Sequence, residues 1–235
     1  MIASLLLLAT LVLLGLPAAL VLIPMAMLTR RVLPLYRTGM WIARIGLRVA
    51  GIRVVGRGLE HIPSDRAVIF MANHVSNLDP PVLLPLLPGR TSIFLKQSLM
   101  QIPLLGAAMR LGEFIPVSRD GSPLTAQQNV RLASSLLRRG IHLTIFVEGT
   151  RSRDGRLLPF KKGPFFLAQE SGALCIPVTI HGTAAMMRKG SLRIYPATAE
   201  VTFHPALDPA AFATRDELMD AVRRAITSAL PEGLR

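Results

Sequence analysis

From Ile52 onward, short apolar runs alternate with longer segments of helical character, and this alternation admits few architectures. Ile52–Val55, Ala67–Ala72, Thr91–Leu95, Phe114–Val117, His142–Val147, Leu174–Ile180, Leu192–Tyr195 and Glu200–Phe203 read as strands. Between them, Pro80–Leu87, Lys96–Leu111 (broken at Pro103), Ser122–Arg139, Gly163–Ser171 and Thr214–Leu230 read as helices. Ser122-Pro123 supplies an N-cap and a first-turn proline, and Gly140 a stop. Strands alternating with helices predict an α/β fold, a three-layer α/β/α sandwich on a mixed, largely parallel sheet. The run Cys175–Ile180 reads as a buried strand with an edge or a bulge at Pro177. Ligand sites in such folds sit at the carboxyl ends of strands, so polar motifs that follow strands carry the functional information.

Ahead of this pattern lies a different solvent preference. Met1 to Thr29 contains no charged residue. A bilayer core takes roughly 20 apolar residues of helix, so the stretch is long enough to insert. It has no basic residues before it and no small-residue cleavage site after it, which predicts a retained anchor. Pro17 and Pro24 predict a kink, so a tilted or re-entrant helix fits as well as a straight span. Arg30, Arg31, Arg37, Arg44, Arg48, Arg53 and Arg57 follow, which puts the rest of the chain on the cytoplasmic side of a cell inner membrane. Within Leu35–Ala50, Arg37, Trp41, Arg44 and Arg48 fall within about 60° of one another on a helix. A cationic stripe beside a tryptophan suits the headgroups of an anionic membrane. The expected division is therefore an N-terminal anchor and interfacial helix over 1–50 and a catalytic domain over 51–235.

The net charge of +13 invites a polyanion as partner. Only 5% of residues are aromatic and no recognition helix or RNA-binding motif is present, so no nucleic-acid partner is expected. An anionic lipid surface or a phosphorylated substrate accounts for the charge with fewer assumptions. The single cysteine, Cys175, excludes an intramolecular disulfide.

Three polar motifs follow strands. Asn73-His-Val-Ser-Asn-Leu-Asp79 delivers a histidine and, five positions later, a carboxylate. A carboxylate on one ring nitrogen fixes the tautomer and leaves the other nitrogen to take a proton from a hydroxyl. Five positions are about 140° apart on a regular helix, so His74 and Asp79 meet best at a strand–loop–helix junction. A loop histidine and a helix-capping aspartate would give the same letters. Glu148-Gly149-Thr150-Arg151 follows another strand: Gly149 permits a tight turn with amides facing a ligand, and Arg151 adds a fork of donors suited to phosphate. Arg119 follows a third strand end and can converge on the same anion.

Taken together, these residues resemble the glycerolipid acyltransferases, in particular the bacterial 1-acyl-glycerol-3-phosphate acyltransferases. Asn73-His74-x4-Asp79 resembles the first motif of that family. Gly112 to Arg119 resembles the second, with a gap of seven where the family usually has six. Phe146-Val-Glu-Gly-Thr-Arg-Ser152 resembles the third, Phe-Pro-Glu-Gly-Thr-Arg-Ser, with Val147 in place of proline, and Ile176-Pro177-Val178 the fourth. Lys96-x5-Ile102-Pro103 and Phe160-Lys-Lys-Gly163 also look like the family, and the resemblance covers roughly residues 51–203. It implies that His74 acts as general base on an acceptor hydroxyl, oriented by Asp79, and that the alkoxide attacks the thioester of acyl-CoA or acyl carrier protein directly. Arg119, Gly149, Thr150 and Arg151 would hold the acceptor phosphate, with lysophosphatidic acid the default acceptor and glycerol 3-phosphate or another lysolipid the alternatives. Pro177 would line an apolar wall, and Glu148 would brace the turn or an arginine rather than move a proton. No cofactor or metal is implied.

Two rivals differ in class. A serine lipase or thioesterase would need a Gly-x-Ser-x-Gly elbow, which the sequence lacks. A non-catalytic lipid carrier would have no use for a general base.

Overall fold

A computed structural model describes residues 1–117, 123–188 and 190–235; Arg119 and Ser122 lie outside them. Among the described residues, seven strands form one sheet in the order β1-β7-β6-β2-β5-β3-β4. They are β1 (Arg53–Arg57), β2 (Ile69–Ala72), β3 (Thr91–Lys96), β4 (Ile115–Val117), β5 (His142–Phe146), β6 (Cys175–His181) and β7 (Thr198–Phe203). Every neighbouring pair is parallel except β6–β7. The central strands β2, β5 and β6 are buried and largely apolar because helices cover both their faces. On one face Phe70, Ala72, Ile176, Val178 and Ile180 pack with Leu47, Val82 and Leu83; on the other, Ile69, Met71, Leu143 and Cys175 pack with Leu136, Phe165, Leu218 and Val222.

The N-terminal segment is helical from Ile2 to Thr29. It comprises α1 (Ile2–Thr10), one π turn at Leu11–Gly15 and α2 (Leu16–Thr29). The π turn sits just ahead of Pro17, whose ring and missing N–H disturb the bonding one turn back. Arg30 turns the chain through a left-handed conformation (φ 57°), and α3 (Leu33–Val49) returns alongside. The two arms touch closely: a Cβ on Gly46 would lie 2.6 Å from Leu7 Cδ1. Both ends of the long arm are tied down. Ala3 belongs to the sheet's core with Leu47 and Ala50, while Ile23 and Ala26 pack against Leu35, Ala107 and Leu111. Between the ties, Leu5, Leu8, Val12, Leu13, Leu16, Leu20 and Val21 stay exposed.

The remaining helices are α4 (Asp79–Leu83), α5 (Leu105–Leu111), α6 (Pro123–Arg138), α7 (Lys162–Ser171), α8 (Thr183–Met186) and α9 (Arg215–Ser228). The expected break at Pro103 is present: a 3₁₀ turn over Gln97–Gln101 is followed by α5. Thr214 caps α9 through a bond from Glu217 N at 3.2 Å.

One sequence reading is corrected, and at Pro177 the register decides between an edge and a bulge. Leu192–Tyr195 is not a strand; both edges of β7, the strand it leads into, are taken by β1 and β6. Its amides bond elsewhere, Ile194 N to Ser4 Oγ and Tyr195 N to Met186 O. Pro177 is not on an edge strand: β6 lies between β7 and β2, with Pro177 opposite Met71. Its missing N–H falls where the β6–β7 ladder loosens. His204 N donates to Pro177 O and Leu207 pairs with Cys175, so three steps on one side face two on the other, a bulge carried by the partner segment.

Candidate active site

The register fixes which residues meet at the carboxyl edge of the sheet. Ala72 lies opposite Phe146 of β5 and Val178 of β6. Two residues further on, His74, Glu148 and Ile180 are therefore neighbours. Asn73 locks this edge, its amide donating to Ile180 O at 2.9 Å and accepting from Ile180 N at 2.7 Å.

After β2 the chain makes a loop and enters α4, the junction the His-x4-Asp spacing requires. Asp79 is wholly buried and His74 partly exposed. His74 Nδ1 donates to Asp79 Oδ2 at 2.7 Å, and the amides of Val75 and Ser76 donate to the same oxygen, each at 2.8 Å. Asp79 Oδ1 accepts from the Thr183 hydroxyl at 2.5 Å. The carboxylate accepts only, so the proton between it and His74 belongs to Nδ1, and Nε2 carries the lone pair. The imidazole stacks on Phe146, with centroids 4.0 Å apart and planes 15° from parallel. His74 also lines a cavity.

Glu148 is buried behind this pair. Its Oε1 accepts from His74 N at 2.7 Å and its Oε2 from Leu158 N at 2.9 Å. Burial pushes its carboxyl up to about 7 against those two bonds. Both oxygens are engaged with backbone, so Glu148 holds the catalytic loop to the following turn and presents nothing to a ligand. Gly149 (φ 67°) turns the chain directly after it. A Cβ there would lie 3.1 Å from Lys161 Cγ, so the turn also lets Lys161 approach. Gly149, Thr150 and Arg151 line the same cavity as His74, joined by Lys96, Lys161 and Lys162.

The cavity measures about 1630 Å³. Its lining is mostly apolar, with α2, α3, the 99–105 stretch and Pro80-Pro81 of α4 among the walls, and it carries His74, Lys96, Arg151, Lys161 and Lys162 as well. The N-terminal hairpin thus contributes directly to the wall. Pro177, expected on an apolar wall, is not part of it. Strand alternation turns Ile176, Val178 and Ile180 towards this side of the sheet and Pro177, level with Met71, towards the other.

Thr183 escaped the sequence reading. It lies 104 residues from Asp79, and no spacing rule links them. The only local signal is Gly182-Thr183 just after a strand. Gly182 is left-handed (φ 90°), and a Cβ there would lie 2.3 Å from Thr198 O, so only glycine turns β6 into α8 at this point.

The chain was compared with known proteins. Residues 53–181 match the family model described as Acyltransferase. A 1-acyl-sn-glycerol-3-phosphate acyltransferase of Limnanthes douglasii is 35% identical over 161 residues, 68% of this chain and 56% of that protein. One from Borreliella burgdorferi is 32% identical over 165 residues, 70% of this chain and 66% of its own. For chloroplastic enzymes of Brassica napus and Arabidopsis thaliana the match spans 39% and 37% of their lengths. The chain thus spans about half or less of several of the relatives it matches. Among solved structures, the crystal structure of 1-acyl-sn-glycerophosphate acyltransferase from Thermotoga maritima superposes with a TM-score of 0.71 at 29% identity, covering 80% of this chain and 75% of that one.

Proposed function

The chain belongs to the acyltransferase family, and from that premise we propose that it moves a fatty acyl group from acyl-CoA or acyl carrier protein to the free hydroxyl of 1-acyl-glycerol-3-phosphate. The product is phosphatidic acid. The observation that carries this reading is the His74–Asp79 pair, with His74 lining a large, mostly apolar cavity. The relatives named for that reaction support the choice of acceptor.

In this scheme His74 Nε2 removes the hydroxyl proton as the oxygen attacks the thioester carbonyl. Asp79 stabilises the imidazolium, and the same proton passes to the departing thiolate, so no acyl-enzyme forms. The Gly149–Arg151 turn, with Arg119, receives the acceptor phosphate through amides and guanidinium forks. Acyl chains occupy the apolar remainder of the cavity. No cofactor enters the scheme.

We further propose that the protein sits on the cytoplasmic face of a cell inner membrane. The 28-residue helical arm has a mean hydropathy of 2.8 and only 11% of its window buried. Because both ends are tied to the domain, it lies along the surface with its exposed leucines in the acyl layer rather than crossing. Arg37, Trp41, Arg44 and Arg48 are exposed on α3, although Arg44 also donates to Pro85 O. The test is a panel of 1-acyl-glycerol-3-phosphate, glycerol 3-phosphate and monoacylglycerol offered to the purified chain with labelled acyl-CoA or acyl carrier protein. Preferred labelling of phosphatidic acid supports the reading; no transfer from either donor contradicts it.

A further inference from the structure

The connection from α8 to β7 bonds to Ser4 of α1 through Leu192 and Ile194. Ser4 Oγ donates to Leu192 O at 3.3 Å and accepts from Ile194 N at 2.8 Å. Met187 and Ile194 are buried in the main core, which fastens the loop at two points. With its backbone turned inward, Leu192 is left 84% exposed, second only to Leu28 among the large apolar side chains described. Arg188 and Arg193 beside it are exposed, as is half of Tyr195. No acidic residue occurs between His181 and Glu200. On the other side of Ser4, Met1, Ile2 and Leu5 are exposed at the start of α1, so Leu192 extends the apolar surface of the long arm.

An exposed leucine flanked by two arginines and a tyrosine, continuous with an uncharged helix, has the composition of a lipid-interface contact. We propose that this loop is a second contact with an anionic lipid surface, Leu192 entering beside the α1 N-terminus while Arg188 and Arg193 meet lipid phosphates. The proposal rests on the membrane reading above and adds to it a point of attachment formed by the catalytic domain itself. Two attachments, the arm and the loop, fix the tilt of the domain on the surface, which one helix alone does not.

The test uses the full chain with Leu192→Cys carrying an environment-sensitive fluorophore. Cys175 does not compete, since it is buried and burial pushes its thiol up to about 12. A control label at Asp220→Cys reports from α9, on the opposite face of the sheet. Vesicles containing phosphatidylglycerol should shift the emission at position 192 to the blue and leave the control unchanged. Phosphatidylcholine vesicles should do so much less. Arg188→Gln with Arg193→Gln should weaken partitioning to the anionic vesicles about 10- to 30-fold. If the protein floats with the vesicles while the label at 192 stays aqueous, the loop proposal fails and the membrane reading stands. If it does not float at all, both fail. An equal shift on uncharged vesicles would overturn the role given to the arginines.

Discussion

Asp79→Asn isolates the charge of the dyad from its geometry. Three N–H donors converge on Oδ2 and one hydroxyl on Oδ1. An amide at this position must put its oxygen where Oδ2 was, because an NH₂ there would face three donors. Its NH₂ then faces Thr183, whose hydroxyl can rotate and accept. Shape and the His74 tautomer are thereby kept, and the carboxylate charge alone is lost. The charge matters when His74 becomes imidazolium. A charge-assisted bond is about 1 kcal/mol or more stronger than a neutral one. Unit charges ~4 Å apart interact by about 4 kcal/mol at an effective dielectric of 20. These bounds place the loss at about 5- to 10³-fold in kcat. Asp79 does not line the cavity, so the Michaelis constants for acceptor and donor should hold. The assay is steady-state acyl transfer with each substrate varied, alongside a thermal melt to show a folded variant. A kcat within about threefold of wild type would refute the imidazolium mechanism, as would a raised acceptor Michaelis constant with kcat unchanged.

Thr183→Val removes one donor from Asp79 at nearly constant shape, and should lower kcat about tenfold with little change in Michaelis constant; Thr183→Ser should restore most of it, which a packing role alone would not predict. Glu148 has a folded-state pKa of about 7 against an ordinary 4.5, so the folded protein binds the extra proton between those values. Its contribution to stability is therefore complete below about pH 4.5 and is lost as pH rises to about 7. Melts across that range should show the decline in wild type and a flatter profile in Glu148→Gln. Arg151→Ala should raise the acceptor Michaelis constant or cut acceptor-limited turnover about tenfold, and Arg151→Lys should recover only part of it; a defect confined to acyl-CoA would move this arginine to the donor.

The parts of the fold legible in the sequence are those decided locally. Ile69–Ala72, His142–Phe146 and Cys175–His181 are buried on both faces and so read as apolar runs. His74 and Asp79 were legible because a five-residue interval makes a contact only at a strand–loop–helix junction, and the sequence supplies one there. What stayed hidden depends on partners far along the chain. Leu192–Tyr195 has strand-like letters, but both edges of β7 are taken. Pro177 allowed an edge or a bulge, and only the pairing with the His204–Leu207 segment decides for the bulge. Thr183 meets Asp79 only once β2 and β6 are paired. The uncharged Met1–Thr29 stretch suits a free span equally well; Ala3 and Ala26, small residues pressed against the domain, hold it down, and their partner faces are absent from any local pattern.

The account's central claim is that His74 is the base for acyl transfer to a phosphorylated acceptor. The most direct measurement is phosphatidic acid formation by purified wild type and His74→Ala on 1-acyl-glycerol-3-phosphate with labelled acyl-CoA or acyl carrier protein, at matched folded concentration. General-base catalysis is worth about 10²–10⁴-fold, so His74→Ala should fall by at least the lower figure while melting as wild type does. Turnover near the wild-type rate from that variant would contradict the mechanism outright.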